Sequence, residues 1–361
     1  MKCDVLIVGA GFAGLVMAER LTAAGKSCIV IEKRNHIGGN AFDYYNEVGV
    51  LAHKYGPHLF HTKSQAIFDY LSQFTDWIPA TYKTVSHVRG KVWDIPINLN
   101  TFEQLIGVKH RNSADMAAYL EKVRVDIPNP RNAEEAVISK VGWELYEMFY
   151  KAYTIKQWGR HPRELEPSVT ARIPIRTNRN DLYFDDPWQC MPKEGYTAMF
   201  HRMIADKFPV LLNTSFPFGC ERTHTVYTGP LDGYFDFKLG RLPYRSLQFK
   251  NTNHICHLKQ SVVSEVYPDA PFTRRTEVKH VTGQVCPNTT TCEEYPEEHD
   301  ESNEPYYPIP SGESRGLNAA YKELAAKERN VTFTGRLATY KYLDMNQVIG
   351  SALLEARRLI A

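Results

Sequence analysis

Three glycines and one acidic residue near the start of the chain have the types and spacing of a dinucleotide site. Gly9, Gly11 and Gly14 form a GxGxxG turn, and Glu32 follows 18 residues after the last of them. Gly9 permits a tight turn, Gly11 lets a pyrophosphate approach the backbone, and Gly14 lets a helix pack closely on a strand. The helix N-terminus favours the phosphate charge, and Glu32 can accept a ribose hydroxyl. A Gly-rich surface turn is the weaker interpretation.

Two strands and a helix must position this turn. Residues 4–8 and 28–31 are short apolar runs typical of buried strands, and residues 15–24 repeat apolar side chains at helical spacing. A second pair of glycines, Gly38 and Gly39, gives another close approach to the dinucleotide, although a plain turn is the alternative. The combination resembles FAD-binding proteins of the glutathione-reductase and amine-oxidase types more than NAD dehydrogenases. We therefore expect non-covalently bound FAD.

Length and composition set the class of the protein. The 361 residues predict two or three domains, and a net charge of +2 gives no bulk attraction to nucleic acid or to an anionic membrane. The seven cysteines lack CxxC spacing, which predicts reduced thiols in a cytoplasmic protein without structural zinc. No signal peptide and no membrane-spanning run is evident.

The rest of the chain divides into helical and strand-rich blocks. A hairpin is predicted to turn at Arg89-Gly90, and helical periodicity indicates helices with N-caps at Ser113 and Asn132. The predicted domains are a discontinuous FAD-binding domain (residues 1–82, 200–243 and 312–361), a helical domain (residues 100–160) and a β-sheet substrate domain (residues 83–99, 161–199 and 244–311).

Several segments outside the glycine-rich turn place arginines near tyrosine or tryptophan. Arginine binds phosphate through a fixed fork of donors, and aromatic rings stack on bases. Together they favour a second ligand that is aromatic and carries a diphosphate, such as a nucleotide sugar. Core packing and surface ion pairs are the alternative for each residue taken alone. Residues 293–304 hold seven acidic side chains, which we interpret as a solvated loop rather than a metal site.

The order of these motifs resembles one family over nearly the whole chain. YGPHLFHT, YTIKQWGR, YTGPLDGYFD, PFTR, EPYYP and GRLATYKYLDM follow each other as in UDP-galactopyranose mutases of the bacterial type. The resemblance implies an α/β fold: an FAD-binding Rossmann-like domain with a helical-bundle insertion and an antiparallel, six-stranded β-sheet domain. It also implies an isomerase that interconverts the pyranose and furanose forms of a nucleotide sugar, with UDP-galactopyranose and UDP-galactofuranose as the expected pair. Such an enzyme would serve cell-surface polysaccharide biosynthesis.

The chemistry that the resemblance implies uses reduced FAD as a nucleophile. Flavin N5 takes the anomeric carbon as a covalent adduct while UDP leaves, so the sugar ring can open and reclose through O4. Net redox change is zero, and NAD(P)H or another reductant must reduce the flavin beforehand. No nucleic acid, no membrane span and no metal is expected, and a homodimer is a further expectation.

The resemblance also implies roles for matching residues. The catalytic residues are Arg172, Arg274 and His58. The substrate-binding residues are Tyr153, Trp158, Arg172, Tyr183, Arg274, Tyr307 and Tyr342. The cofactor-binding residues are Gly9, Gly11, Phe12, Gly14, Glu32, Lys33, Gly39, Asn40, His58, Leu59, Arg336, Tyr342, Asp344 and Met345. Trp158 is further expected on a mobile loop that closes over the nucleotide.

Departures from the family pattern leave other substrates and activities open. Residues 180–183 lack the usual acidic run, residues 188–192 read WQCMP, and Ala338 replaces a usual glycine. The sugar is therefore open, and an N-acetylated or 6-deoxy hexose nucleotide is an alternative substrate. A flavin oxidoreductase of the amine-oxidase type and a nucleotide-sugar-binding protein without catalysis are the alternative functions.

Overall fold

The computed structural model describes residues 1–171 and 173–361. Its strands are β1 (Val5–Val8), β2 (Cys28–Ile31), β3 (Asp43–Tyr45), β4 (Leu51–His53), β5 (Phe60–Thr62), β6 (Trp77–Pro79), β7 (Thr84–Val88), β8 (Lys91–Ile95), β9 (Trp188–Pro192), β10 (Val210–Leu211), β11 (His224–Tyr227), β12 (Tyr244–His254), β13 (Ser264–Val266), β14 (Arg274–Thr276), β15 (Thr289–Glu298), β16 (Tyr307–Pro308) and β17 (Val331–Phe333). Its α-helices are α1 (Phe12–Ala23), α2 (Gln65–Ser72), α3 (Leu99–Ile106), α4 (Ser113–Val123), α5 (Ala133–Leu145), α6 (Ala152–Trp158), α7 (Ser168–Ala171), α8 (Tyr196–Ile204), α9 (Leu231–Tyr234), α10 (Lys279–Thr282), α11 (Gly312–Ala325) and α12 (Met345–Ile360).

A parallel sheet forms the first layer, in the order β10-β2-β1-β11-β17. The strands β1 and β2 are short apolar runs that are almost wholly buried, as their sequences predict. Helix α1 lies between this sheet and helices α8 and α12, so apolar side chains cover most of its circumference. It begins at Phe12, three residues earlier than the periodicity predicts, because Gly11 already serves as its N-cap.

A second sheet has seven strands in the described residues, ordered β16-β12-β15-β14-β13-β7-β8. The hairpin β7-β8 turns at Arg89 and Gly90, both with positive φ, as predicted. All pairs are antiparallel except β13 with β7. The expected six-stranded antiparallel sheet is therefore incorrect in strand number and in one pairing. The helices lie between β8 and the later strands, so a long connection separates β7 from β13, and parallel strands need such a connection.

Helices α3, α4 and α5 pack around an apolar core that includes Phe102, Met116 and Val141. The side chain of Asn132 caps α5, as predicted. The predicted cap at Ser113 is wrong, because the Asn112 carboxamide oxygen accepts the first free N–H groups of α4. A π-helical segment (Tyr146–Lys151) continues α5 into α6.

A small antiparallel sheet, β5-β9-β6, joins the loop that carries His58 to the rest of the chain. Residues 56–59 lead directly into β5, whose Phe60 pairs with Cys190 on β9. This sheet, the parallel sheet and helix α12 thereby meet around the loop. The α/β fold class expected from the sequence is confirmed, while the exact domain boundaries remain a prediction.

Candidate active site

A cavity of about 380 Å³ opens at the carboxyl ends of β1 and β2. In a parallel α/β sheet this is the edge where ligands bind. The lining includes most of the residues predicted to bind the cofactor: Gly9, Gly11, Phe12, Glu32, Lys33, Gly39, Asn40, His58, Arg336 and Met345. The sequence pattern thus brings residues from four separate parts of the chain to one cavity.

The three glycines of the turn occupy different environments. Gly9 has φ +102°, and a Cβ there would lie 2.1 Å from Thr228 Oγ1. A Cβ on Gly14 would lie 1.9 Å from the Gly9 carbonyl oxygen, so Gly14 permits close packing of helix and strand but does not line the cavity. Gly11 faces the cavity, and its Cβ would meet only backbone atoms of Gly39, the nearer being Cα at 3.6 Å. The open side of Gly11 is the cradle that a phosphate needs.

Backbone N–H groups fix the Glu32 carboxylate at the end of β2. Its Oε2 accepts from the Ala10 N–H at 2.8 Å, and Oε1 accepts from the Arg34 N–H at 2.9 Å. The side chain is 6% exposed and lines the cavity. A carboxylate held in this way has remaining lone pairs for a ligand hydroxyl.

A second cavity, of about 460 Å³, adjoins the first. Five residues line both cavities: Asn40, His58, Arg336, Leu343 and Met345. The second cavity is also lined by the predicted residues Leu59, Tyr153, Tyr183, Arg274, Tyr307, Tyr342 and Asp344. Predicted cofactor and substrate residues therefore surround two spaces that meet at shared side chains.

A buried acid holds Arg274, one of the cationic side chains that line the second cavity. Arg274 Nε lies 2.8 Å from Glu294 Oε1, and the Glu294 side chain is only 2% exposed. The two residues are directly paired across β14 and β15. Glu294 belongs to the acidic stretch that we interpreted as a solvated loop, and that interpretation is wrong here because the stretch begins within β15. Cys292 and Glu294 are two residues apart and lie on the same face of the strand, and this alternation was the sequence signal that Glu294 is buried.

Stacked aromatic rings form another part of the wall. Tyr307 and Tyr342 stack with centroids 5.4 Å apart, and the Arg336 guanidinium lies 5.3 Å from the Tyr307 ring centroid. Trp158 packs behind them, at 6.1 Å from Tyr307 and 6.0 Å from Tyr342. Trp158 does not line the second cavity.

The expected mobile loop at Trp158 is incorrect. Trp158 is the last residue of α6 and is 5% exposed, within an apolar cluster that includes Leu165, Val169 and Ile309. Gly159, with φ +63°, caps the helix. Polar neighbours in sequence suggested a solvated loop, but helical geometry turns them away from the tryptophan.

His58 is a neutral imidazole at the junction of the cavities. Burial, with smaller contributions from His53, Arg336 and Arg274, lowers the pKa of His58 to about 3. Its Nδ1 lies 2.9 Å from the Gly56 carbonyl oxygen, which assigns the proton to Nδ1 and leaves Nε2 as an acceptor. The His58 backbone N–H donates to His53 Nδ1 at 3.1 Å. His58 therefore suits hydrogen bonding and positioning more than proton transfer near neutral pH.

The remaining expectations concern Arg172, metal sites, membrane spans and cavity residues that the sequence did not indicate. Arg172 lies outside the described residues. Within residues 1–171 and 173–361, no three His, Cys, Asp or Glu side chains are grouped so that they could hold a metal ion. Within the same ranges, no helix is long and apolar enough to cross a membrane. Sequence reasoning missed Leu343 and Asp186, which also line the second cavity; Asp186 Oδ2 lies 2.5 Å from His61 Nδ1.

Comparison with known proteins decides the family. A sequence model of UDP-galactopyranose mutases matches residues 148–342, and a model of NAD(P)-binding Rossmann-like domains matches residues 7–74. A probable UDP-galactopyranose mutase of Klebsiella pneumoniae is 38% identical over 365 residues, covering 99% of this chain and 95% of that protein. The chain belongs to the UDP-galactopyranose mutase family. The family that the motif order indicated is confirmed, and with it the assignment as an enzyme.

A second relative of this mutase is named for a different substrate, and solved structures share its fold. A dTDP-fucopyranose mutase of Escherichia coli is 32% identical over 366 residues, covering 97% of this chain and 96% of that protein. A solved structure of reduced UDP-galactopyranose mutase matches with a TM-score of 0.79 at 17% identity, covering 99% of this chain and 96% of that one. A putrescine oxidase structure matches with a TM-score of 0.64 at 13% identity, covering 100% and 99%. At these identities the two structures show a shared fold.

Proposed function

We propose that this mutase interconverts UDP-galactopyranose and UDP-galactofuranose with reduced FAD. The observation that carries the proposal is the meeting of the two cavities at five shared residues, with Arg274 and several tyrosines on the second side only. A nucleotide sugar in the second cavity would present its anomeric carbon to a cofactor in the first. A nucleotide-sugar substrate also follows from the family.

The first cavity fits FAD. The open side of Gly11 and the N-terminus of α1 suit a pyrophosphate, and the fixed Glu32 carboxylate suits a ribose hydroxyl. Phe12, Lys33, Gly39 and Asn40 complete this half of the cavity. When bound and reduced, the flavin would supply the nucleophile that displaces the diphosphate from the anomeric carbon.

The second cavity supplies charge and hydrogen-bond donors for the diphosphate. Arg274 is oriented by Glu294, so it is fixed before charge develops on the departing group. Tyr183, Tyr307 and Tyr342 add hydroxyl groups at the same cavity. Arg172 keeps, as a proposal, the second cationic role that the family resemblance implies.

Other residues orient the sugar and exclude water. Neutral His58 offers Nε2 as an acceptor at the junction, where a charged imidazolium would compete with Arg274 for the diphosphate. Tyr153 lines the second cavity but not the first, and we place the nucleoside beside it. Trp158 supports Tyr307 and Tyr342 from behind, so we assign it to substrate binding through those rings.

A second substrate has a specific observation in its favour. The Escherichia coli relative named dTDP-fucopyranose mutase is 32% identical across nearly the whole chain. A 6-deoxy hexose nucleotide is therefore the next candidate, and an N-acetylated hexose nucleotide follows it. The oxidoreductase alternative rests on fold similarity to amine oxidases, which does not carry function at 13% identity.

The test is anaerobic turnover. Dithionite-reduced protein loaded with FAD is incubated with UDP-galactopyranose, UDP-N-acetylgalactosamine and dTDP-fucopyranose, and products are separated by chromatography. We expect UDP-galactofuranose only with the reduced protein, and no product with oxidised protein or with free reduced FAD. Equal turnover by oxidised protein, or conversion of dTDP-fucopyranose alone, would refute the proposal.

Three accompanying proposals concern partners and location. NAD(P)H or another reductant would reduce the flavin, and rapid-mixing absorbance at the flavin band would report it. A homodimer would appear in sedimentation, and a cytoplasmic location would appear in cell fractionation.

A further inference from the structure

Two hydroxyl side chains on one strand line the second cavity without a protein partner. Thr84 and Ser86 are two residues apart on β7, so they point to the same face of the sheet. They are 5% and 2% exposed, and both line the second cavity. Within residues 1–171 and 173–361, neither Thr84 Oγ1 nor Ser86 Oγ has a hydrogen-bond partner.

Such a pair is costly in a folded protein. A buried hydroxyl without a partner costs about 1–3 kcal/mol, and valine or alanine would fill the same positions on a β-strand without that cost. Because buried polar groups are almost always bonded in native proteins, each exception requires an explanation. A ligand in the cavity they line is the explanation that the geometry offers.

The position along the cavity selects the part of the ligand. His58, Arg336 and Met345 mark the end that is shared with the cofactor cavity, and neither hydroxyl residue lies there. Ser86 pairs with Val266, which pairs with Arg274, so Ser86 is two strands, or about 10 Å, from the proposed diphosphate cation. On the other side of β14, Arg274 is paired with Glu294 on β15, and Glu294 lies next to the turn at Gly56 that precedes His58.

The surroundings are mostly apolar or aromatic. Ile95 is paired with Thr84 across β7 and β8, and Phe149, Tyr153, Ile173 and Pro174 line the same cavity. A few polar points within an apolar slot suit a flat ring that has apolar faces and a polar edge. In a nucleotide sugar the base has that character most fully, since the hexose carries hydroxyl groups around its ring and the diphosphate is charged.

We propose that Thr84 and Ser86 hydrogen-bond the polar edge of the nucleobase and set the base preference of this enzyme. The inference rests on the proposed function for the orientation of the substrate. A hydroxyl both donates and accepts, so this pair matches the alternating donor and acceptor groups of a pyrimidine edge. Sites that bond a ligand group through buried polar atoms discriminate strongly against ligands that lack it.

The experiment compares binding of UDP with that of inorganic pyrophosphate, which lacks the nucleoside. Both are titrated calorimetrically into FAD-loaded wild type, Thr84→Val, Ser86→Ala and the double variant. Ser246→Ala is the matched control, because Ser246 Oγ is also buried without a partner in the described chain but does not line the cavity. The readout is the ratio of the two Kd values, with folding checked by thermal unfolding.

We expect each single variant to raise the Kd of UDP about tenfold and to leave that of pyrophosphate within twofold of wild type. The melting temperature of the UDP-free protein should stay the same or rise, since an unpartnered buried hydroxyl has been removed. An unchanged Kd ratio in the double variant would overturn the proposal, whether both ligands weaken together or neither does. Because the measurement needs no turnover, a failure of the proposed mutase reaction would be seen separately.

Discussion

A methyl group added at Gly11 should separate cofactor binding from folding. Gly11 has φ −83° and ψ −173°, which alanine adopts readily, and its Cβ would meet only backbone atoms of Gly39, at an ordinary 3.6 Å or more. We therefore expect Gly11→Ala to change the free energy of unfolding by no more than about 0.5 kcal/mol. The methyl would, however, occupy the side of the turn that faces the first cavity.

The expected loss is in FAD affinity. Displacing the pyrophosphate from the turn removes at least one charge-assisted backbone contact, which is worth about 1.5–3 kcal/mol, or a rise in Kd of about 10- to 150-fold. The assay is quenching of flavin fluorescence as FAD is titrated into apoprotein, with urea unfolding of the same apoprotein alongside. A wild-type Kd for Gly11→Ala would refute the assignment of this cavity to the dinucleotide.

Two other glycines serve as comparisons. Gly14→Ala would place Cβ 1.9 Å from the Gly9 carbonyl oxygen, so we expect overpacking to cost about 1–3 kcal/mol of folding stability. Gly316→Ala, on α11, meets nothing within 4 Å, so it should stabilise the helix by about 0.5–1 kcal/mol and leave FAD binding unchanged. Equal behaviour of the Gly11 and Gly14 variants would mean that both act through folding.

Three further predictions address charge, protonation and packing. Arg274→Ala should remove about 3–4 kcal/mol of transition-state stabilisation, seen as a lower kcat, and should leave buried Glu294 unpaired. Arg274→Lys keeps a charge and should therefore retain more stability in urea unfolding, whereas equal stability of the two variants would argue against the ion pair. Burial lowers the pKa of His53 to about 4, below the unfolded value of about 6.5, so its stabilising contribution is present above pH 6.5 and is lost as pH falls toward 4. His53→Asn should therefore lose about 2 kcal/mol less stability than wild type between pH 7.5 and pH 5, and an identical pH dependence in urea unfolding would contradict this. Trp158→Ala should cost about 3–5 kcal/mol of stability as a buried aromatic and also weaken UDP binding, whereas weakened UDP binding with an unchanged melting temperature would show that Trp158 contacts the nucleotide directly.

The first strand–turn–helix unit was predictable from the sequence because its signals are local. Gly9, Gly11 and Gly14 are fixed by spacing within one turn, and the apolar runs on either side are typical of buried strands. The hairpin at Arg89-Gly90 was predictable for the same reason. The motif order then indicated the family without any knowledge of three-dimensional contacts.

The partners of the site residues were not predictable, since they depend on pairing between distant strands. Glu294 is directly opposite Arg274 only because β14 and β15 pair in one register. The sequence shows an acidic stretch there, which is typical of a solvated loop. Trp158 shows the opposite case: its polar neighbours in sequence predicted an exposed loop, but the residue is buried. On a helix those neighbours lie on other faces, so they do not prevent burial of the tryptophan.

One buried carboxylate connects the two halves of the site. Glu294 pairs with Arg274, and a Cβ on Gly56 would lie 2.9 Å from Glu294 Oε1, so the same acid lies against the turn that accepts the His58 Nδ1–H. Gly56 has φ +80° at this point of closest approach, which a residue with a side chain would adopt only under strain. Glu294 therefore lies between Arg274 of the second cavity and the turn that holds the imidazole at the junction. The proposed reaction would need both in place at once, because the diphosphate would leave from a sugar that faces the first cavity.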